Sequence, residues 1–303
     1  MKSMTTTLSH RRNSSDGQLR PGHRAGPLLP EREFMLFSTF ITEYCGIKVP
    51  PSKKTMIEAR LAKRLRALKL TSFSEYADYL FSPTGMERET PLMINVVTTN
   101  KTDFFREPAH FEYLAKCALP RLAELQLRRQ RATIHAWSAG CSSGEEAYTL
   151  AMVLNEFTEK HCKADFSILA TDVCTTVLQK GKTGIYEKEK IASINPNLKH
   201  KYFMKGKNNA SELCRIVPEL RAKVQFRHLN FMAEEFCISK PMEIIFCRNV
   251  LIYFERATQE YLINRFCDHL VPGGYIFLGH AETLNGMAVP LKQVSSAIYR
   301  INR

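Results

Sequence analysis

No run of apolar residues in this sequence approaches the roughly 20 that a membrane-crossing helix needs, so no helical span is expected. Lys2 is followed by no apolar stretch, so no secretory leader is expected either. Nine cysteines are present, Cys45, Cys117, Cys141, Cys162, Cys174, Cys214, Cys237, Cys247 and Cys267, yet no C-x-x-C pair occurs among them. That removes the usual zinc and thioredoxin-like motifs, and no metal is expected. Scattered thiols of this kind fit a reducing cytoplasm, as small buried hydrophobes. Internal repeats are absent. Acidic residues are in short supply: 30 Asp and Glu face 43 Lys and Arg, a net charge of +13. Such an excess calls for an anionic partner, whether nucleic acid, membrane surface, acidic protein or acidic ligand.

What is present reads as a folded protein. Hydrophobic residues make up 44% and charged residues 24% of the chain, which excludes bulk disorder. At roughly 150 residues per domain, the length of 303 suggests about two domains. Residues 1–30, rich in Ser, Arg, Gly and Pro, read as a disordered basic tail. Residues 31–117 read as a helical domain, with Phe34, Phe37, Ile41 and Tyr44 at helical spacing. Over 53–70, Ile57, Leu61, Leu65 and Leu68 stack on one face, while Lys53, Arg60, Lys63 and Arg64 project from a neighbouring one. Between Gly46 and Leu70, Lys48, Lys53, Lys54, Arg60, Lys63, Arg64, Arg66 and Lys69 stand against Glu58 alone. This segment and the tail hold most of the net charge. The basic helix is either a solvated face or a dock for an acidic surface.

Glu107 to Gln130 continues as one or two helices, and residues 118–130 read as a linker ending in a basic stretch. From residue 131 the pattern changes. Short apolar runs at Thr133–Ala139, Phe166–Thr171, Val224–His228, Glu243–Cys247, Tyr275–Gly279 and Ala297–Ile301 alternate with helical segments at Glu145–Phe157, Thr175–Lys180 and Thr258–Leu270. The alternation predicts an α/β domain over 131–303 with a mostly parallel, doubly wound sheet. Residues 184–223, long, polar and basic, break the rhythm and read as an insertion carrying a small subdomain.

Four segments carry chemistry. Ala136-Trp137-Ser138-Ala139-Gly140-Cys141-Ser142-Ser143-Gly144-Glu145-Glu146 runs a strand through a small-residue turn into a helix, the geometry of nucleotide binding. Two glutamates stand where a phosphate binder needs neutral or basic groups, which favours a ligand with cationic or hydrogen-bond-donor groups. Asp172 ends the second strand, where a carboxylate either accepts from ribose hydroxyls or caps the next helix. Together these two point to an adenosyl ligand without phosphates, and S-adenosylmethionine fits. Phe246-Cys247-Arg248-Asn249-Val250-Leu251-Ile252-Tyr253-Phe254 follows the fourth strand, at the expected active edge. Thr98-Thr99-Asn100-Lys101-Thr102-Asp103-Phe104-Phe105-Arg106-Glu107 places two aromatics beside an arginine.

In these four strings, and in Gly279-His280-Ala281-Glu282, the chain from about Glu31 to Arg303 resembles the chemotaxis receptor methyltransferases, the CheR family. The resemblance implies a helical N-terminal domain, a Rossmann-like S-adenosylmethionine-dependent domain and a small inserted β-subdomain. It implies methyl transfer to glutamate side chains on the cytoplasmic helices of chemoreceptors, giving methyl esters and S-adenosylhomocysteine, in the cytoplasm at receptor arrays. Carried onto this chain, Asn100, Thr102 and Arg106 would contact the cofactor. Glu145 would hold the amino end of its methionine moiety, Asp172 the ribose, and Asn230 and Phe231 the adenine. Arg248 and Asn249 would line the pocket. Arg106 and Tyr253 would lie near the reacting methyl group, and the basic helix would dock the receptor's acidic methylation helices. Relatives that grip a receptor's C-terminal peptide often show Gly-x-Gly where this chain has Gly206-Lys207-Asn208, although Asn tolerates positive φ. Ala147 replaces a proline that commonly follows the paired glutamates.

Two rival readings use the same residues differently. A nucleic-acid methyltransferase would use the positive charge, but the Asn/Asp-Pro-Pro-Tyr signature of amino-group methylation is absent, as is any nucleic-acid-binding motif. A non-catalytic binding module would not need Arg106, Asp172, Arg248 and Tyr253 together.

Overall fold

The structure, a computed structural model, describes residues 27–128, 133–161, 165–206 and 212–302. Most of the expected tail, residues 1–26, lies outside the described residues. The N-terminal domain is built from α1 (Glu31–Cys45), α2 (Lys54–Leu68), α3 (Phe73–Leu80), α4 (Pro83–Arg88) and α5 (Thr90–Val97). Local chemistry sets the ends. Glu31 and Glu33 complement the positive end of α1, and Gly46 closes it at φ 75°. Ser72 accepts from the Glu75 amide while the Glu75 carboxylate accepts from Thr71, a reciprocal cap on α3. The predicted α2 stripe is the core face: Ile57, Leu61 and Leu65 are buried against Phe34, Phe37, Ile41, Phe73, Tyr76, Met93 and Val97, with Leu68 partly covered.

Two boundaries move. Leu29 is buried in this core and its amide donates to Glu58 Oε2 at 2.7 Å, so the end of the expected tail is packed into the helical domain. At the other end, Phe104, Phe111, Leu114, Leu119 and Leu122 belong to the core of the following domain. The helical domain therefore ends near Val97, not at residue 117, and the described part of the expected linker, residues 118–128, is helical. A helix runs from α6 (Pro108–Tyr113) through a π-turn, Leu114–Ala118, into α7 (Leu119–Arg128). Pro120 has no N–H to offer, and the wider turn immediately before it keeps the helix continuous.

The remaining elements, in chain order, are β1 (Thr133–Ala139), α8 (Glu145–His161), β2 (Asp165–Asp172), α9 (Thr175–Thr183), β3 (Ile185–Glu187), α10 (Pro196–Tyr202), β4 (Phe203–Lys205), β5 (Leu213–Ile216), α11 (Pro218–Ala222), β6 (Val224–His228), β7 (Met242–Cys247), α12 (Arg256–His269), β8 (Leu270–Leu278), β9 (Leu291–Ser295) and β10 (Ile298–Ile301). The large sheet has the order β6-β2-β1-β7-β8-β10-β9. Its first five strands are parallel, and β10 and β9 close it antiparallel. Alternation along β1 feeds both faces: Ile134 and Ala136 enter one core, Trp137 and Ala139 the other. Trp137, the sole tryptophan, is fully buried, and its Nε1–H donates to Thr171 Oγ1 at 2.8 Å. Strand order reverses between β1 and β7, where doubly wound sheets open a crevice at their carboxyl ends.

Within the expected insertion 184–223, the described residues form a three-stranded antiparallel sheet of order β3-β5-β4 with α10 and α11. It is fastened to the crevice at two points. Tyr186 donates to the Ser143 carbonyl at 2.8 Å, and Lys190 donates to the Thr102 carbonyl and pairs with Asp103. Lys207 and Asn208, compared above with Gly-x-Gly, lie outside the described residues. Among the described residues no helix is long and apolar enough to cross a membrane.

Candidate functional site

A cavity of about 260 Å³ opens at the carboxyl ends of β1, β2 and β7, with the helical domain as its opposite wall. Its floor is the turn after β1. Gly140 sits at φ 83°, and a Cβ there would lie 2.5 Å from Val250 Cγ2, so the turn and the β7 loop touch with no side chain between them. Asp172 fastens that turn: Oδ2 accepts from the Ser142 amide at 2.8 Å and Oδ1 from the Cys174 amide at 2.9 Å. Asp172 does not cap α9, whose N-cap is Cys174 with no side-chain cap bond. It bonds the chain entering α9, and it lines the cavity with acceptor capacity to spare, because a carboxylate offers about four lone-pair sites. Burial pushes its pKa up, against the pull of those amides.

The segment between the two domains forms one side. Asn100, Thr102 and Arg106 all line the cavity. The Asn100 carbonyl accepts from Ser142 Oγ, and the half-buried Arg106 donates to the Lys101 carbonyl at 3.1 Å. Opposite stands the loop after β7. The Arg248 guanidinium is buried over the rings of Phe111 and Phe246, and its Nη2 donates to the Arg106 carbonyl at 2.5 Å. Asn249 has φ 57°, and Asn249 and Tyr253 both face the cavity. The two domains meet here: the Lys48 amide donates to the Tyr253 carbonyl, and Asn230 Nδ2 donates to the Tyr44 carbonyl. Phe231 lines the same wall and packs edge-on to Phe266.

Glu145 is the exception among the pocket candidates. Its buried carboxylate accepts from Ser143 Oγ and does not line the cavity; Glu146, one residue on, does. Successive helical residues point about 100° apart, and the motif does not show which of two glutamates turns inward. Glu146 accepts from Ser138 Oγ and lies 3.5 Å from Arg248 Nε; burial raises its pKa while Arg248 opposes the rise. The predicted docking face also divides. Arg60 donates to the Val97 and Thr98 carbonyls and to Thr99 Oγ1. Arg64 forms a two-pronged pair with buried Glu89, at 2.7 and 2.9 Å. Both guanidinium groups are spent inside the molecule, whereas Lys53 and Lys63 remain exposed and Lys53 reaches the cavity rim.

Sequence reasoning gave no role to Glu107, the last residue of the Thr98–Glu107 string, and missed His110, which lies in none of the quoted motifs. With His280 they bring their ligand atoms within 4.8 Å of one another. The Arg248 guanidinium, 3.7 Å from Glu107 Oε2, already places a positive charge there. His110 is held neutral, its pKa pushed down to about 4 by burial and then by Arg248. Cys45, also at the cavity, is pushed up to about 11 by burial and is no nucleophile at neutral pH.

Residues 100–300 match the family model of the CheR methyltransferase SAM-binding domain, and residues 32–98 match that of the CheR methyltransferase all-alpha domain. The chain belongs to the chemotaxis protein methyltransferases. The chemotaxis protein methyltransferase of Borreliella burgdorferi is 39% identical over 85% of this chain and 89% of its own length. That of Escherichia coli K12 is 35% identical over 91% and 92%, and that of Klebsiella aerogenes 33% identical over 100% and 99%. The family boundary at 98–100 coincides with the change of core seen in the fold. As in the family, the cofactor of this methyltransferase is S-adenosylmethionine. The cavity suits it: Asp172 and Glu146 offer acceptors to hydroxyl and ammonium groups, Phe231 an apolar face, and unpaired Arg248 Nη1 a donor for a carboxylate.

Proposed function

We propose that this chemotaxis methyltransferase transfers methyl groups from S-adenosylmethionine to glutamate side chains on the cytoplasmic helices of chemoreceptors, leaving methyl esters for sensory adaptation. The observation that carries the reading is the convergence of Arg106, Arg248, Asn249 and Tyr253 on one cavity at the sheet's switch point. Bound S-adenosylmethionine supplies the activated methyl group. Asn100, Thr102, Asp172, Asn230, Phe231, Arg248 and Asn249 hold the cofactor, and Glu146 replaces Glu145 as the acidic partner of its amino group.

The acceptor carboxylate, with a pKa near 4.3, is ionised at neutral pH and needs no general base. The protein's work is alignment and exclusion of water. Arg106 orients the incoming carboxylate through charge-assisted hydrogen bonds, and Tyr253 adds a hydrogen bond from the opposite side. Lys53 and Lys63 steer the acidic receptor helices toward the rim. The inserted subdomain is a second receptor contact, for a C-terminal peptide; nucleic acid is not a substrate.

The test is incubation with radiolabelled S-adenosylmethionine and receptor-containing membranes. Base-labile label on receptor supports the carboxyl ester, and label on nucleic acid or none at all rejects it. Arg106→Ala should abolish transfer; unchanged receptor methylation would remove Arg106 from this role.

A further inference from the structure

The loop Arg248–Tyr253 delivers Asn249 and Tyr253 to the cavity; the Lys48 amide and Gln259 Nε2 hold its Tyr253 and Leu251 carbonyls, and one carboxylate holds its amides. Glu282 is buried, follows β8 and does not line the cavity. Its Oε2 accepts from the amides of Gly279 at 2.5 Å and Asn249 at 2.9 Å; its Oε1 accepts from those of Val250 at 2.8 Å and Ile252 at 3.3 Å. Four main-chain donors from two segments thus converge on one side chain. Only an ionised carboxylate, acceptor at both oxygens, meets such a set; an amide would turn two donors of its own against two of the four. Gly279 leaves the room for this. A Cβ there would stand 2.5 Å from Asn249 Nδ2, 2.8 Å from its amide nitrogen and 2.9 Å from Glu282 Oε2.

We infer that Glu282 is a positioning residue for methyl transfer: it fixes Asn249 in its left-handed conformation and sets the turn that presents Tyr253. The inference rests on the reading of the cavity as the S-adenosylmethionine site. Burial drives the carboxyl toward its neutral form and the amides of Gly279, Asn249, Ile252 and Val250 oppose this, so clamp and charge support one another.

Two full-length variants test it, Glu282→Gln, which removes the charge, and Gly279→Ala, which wedges the clamp apart with the charge intact. S-adenosylhomocysteine affinity is measured by calorimetry, kcat and both KM values with receptor membranes, and amide exchange across the loop. The Kd for S-adenosylhomocysteine and the KM for S-adenosylmethionine should rise roughly ten- to a hundredfold, as expected for unpaired buried donors. The kcat per folded enzyme should fall, the receptor KM should hold, and exchange should quicken at Gly279, Asn249, Val250 and Ile252 but not in α2. Loss of active enzyme with unchanged constants in what remains would overturn the inference, because a merely structural residue behaves that way. If Glu282→Gln fails to fold, Gly279→Ala decides. If the wild type binds S-adenosylhomocysteine but modifies no receptor, the proposed substrate fails while binding and exchange still judge Glu282.

Discussion

Replacing Arg64 with alanine should destabilise the helical domain rather than weaken a docking surface. Its guanidinium is mostly buried and grips Glu89, which is almost fully buried, through both oxygens. Tyr76 donates to the same carboxylate at 3.0 Å, so Glu89 keeps one partner when Arg64 is gone. Breaking a buried ion pair from one side costs about 3–5 kcal/mol, and the remaining tyrosine bond puts the expectation near 3. For a domain of this size each kcal/mol is worth about 4–8 °C, so the helical domain's melting temperature should fall by roughly 10–25 °C. Thermal and urea unfolding of the full chain is the assay. A double variant, Arg64→Met with Glu89→Gln, removes both charges and leaves Tyr76 an acceptor; it should lose much less than the two single changes added together. A loss below about 1 kcal/mol, joined to a fall in receptor methylation, would refute the reasoning and return Arg64 to the receptor-facing surface.

The other predictions touch separate sites. Lys63→Glu should leave stability within about 0.5 kcal/mol yet slow receptor methylation at low salt, a difference that shrinks as salt is raised; a salt-independent effect would point elsewhere. Gly140→Ala places a Cβ against Val250 at a positive φ, costing about 1–3 kcal/mol by overpacking and at least tenfold in S-adenosylhomocysteine affinity by calorimetry. His110 is buried neutral, with Arg248 disfavouring its cation and Glu107 favouring it. Its folded pKa lies below the unfolded value, so the unfolded chain binds the extra proton and stability falls as pH drops from about 6.5 to about 4. His110→Gln should flatten that part of the profile, and an unchanged slope would assign it to the carboxylates.

The alternating strands were legible because a buried parallel strand must read as an apolar run: β7 is buried along its whole length and its sequence shows little else. The α2 stripe was legible for the same reason at period 3.6. Charge was less informative. Arg60, Lys63 and Arg64 look alike on a helical projection, but their roles depend on Val97, Thr98 and Glu89, which arrive from distant positions in the chain. The domain boundary was hidden because helical periodicity continues past Val97, and only tertiary packing shows that the later helices serve the other core. Glu282 stood inside a recognised motif, but its function is to accept from backbone amides, which carry no sequence signal.

Trp137 makes the two domains separately observable. The chain's only indole lies in the sheet core, edge-on to Phe266 and bonded to Thr171, with no part in the helical domain's core. Its fluorescence therefore tracks melting of the catalytic half, while far-ultraviolet circular dichroism sums helices from both halves. A protein losing its N-terminal helices first would show two displaced curves, and a saturating nucleoside ligand gripping both walls of the cavity would draw them together.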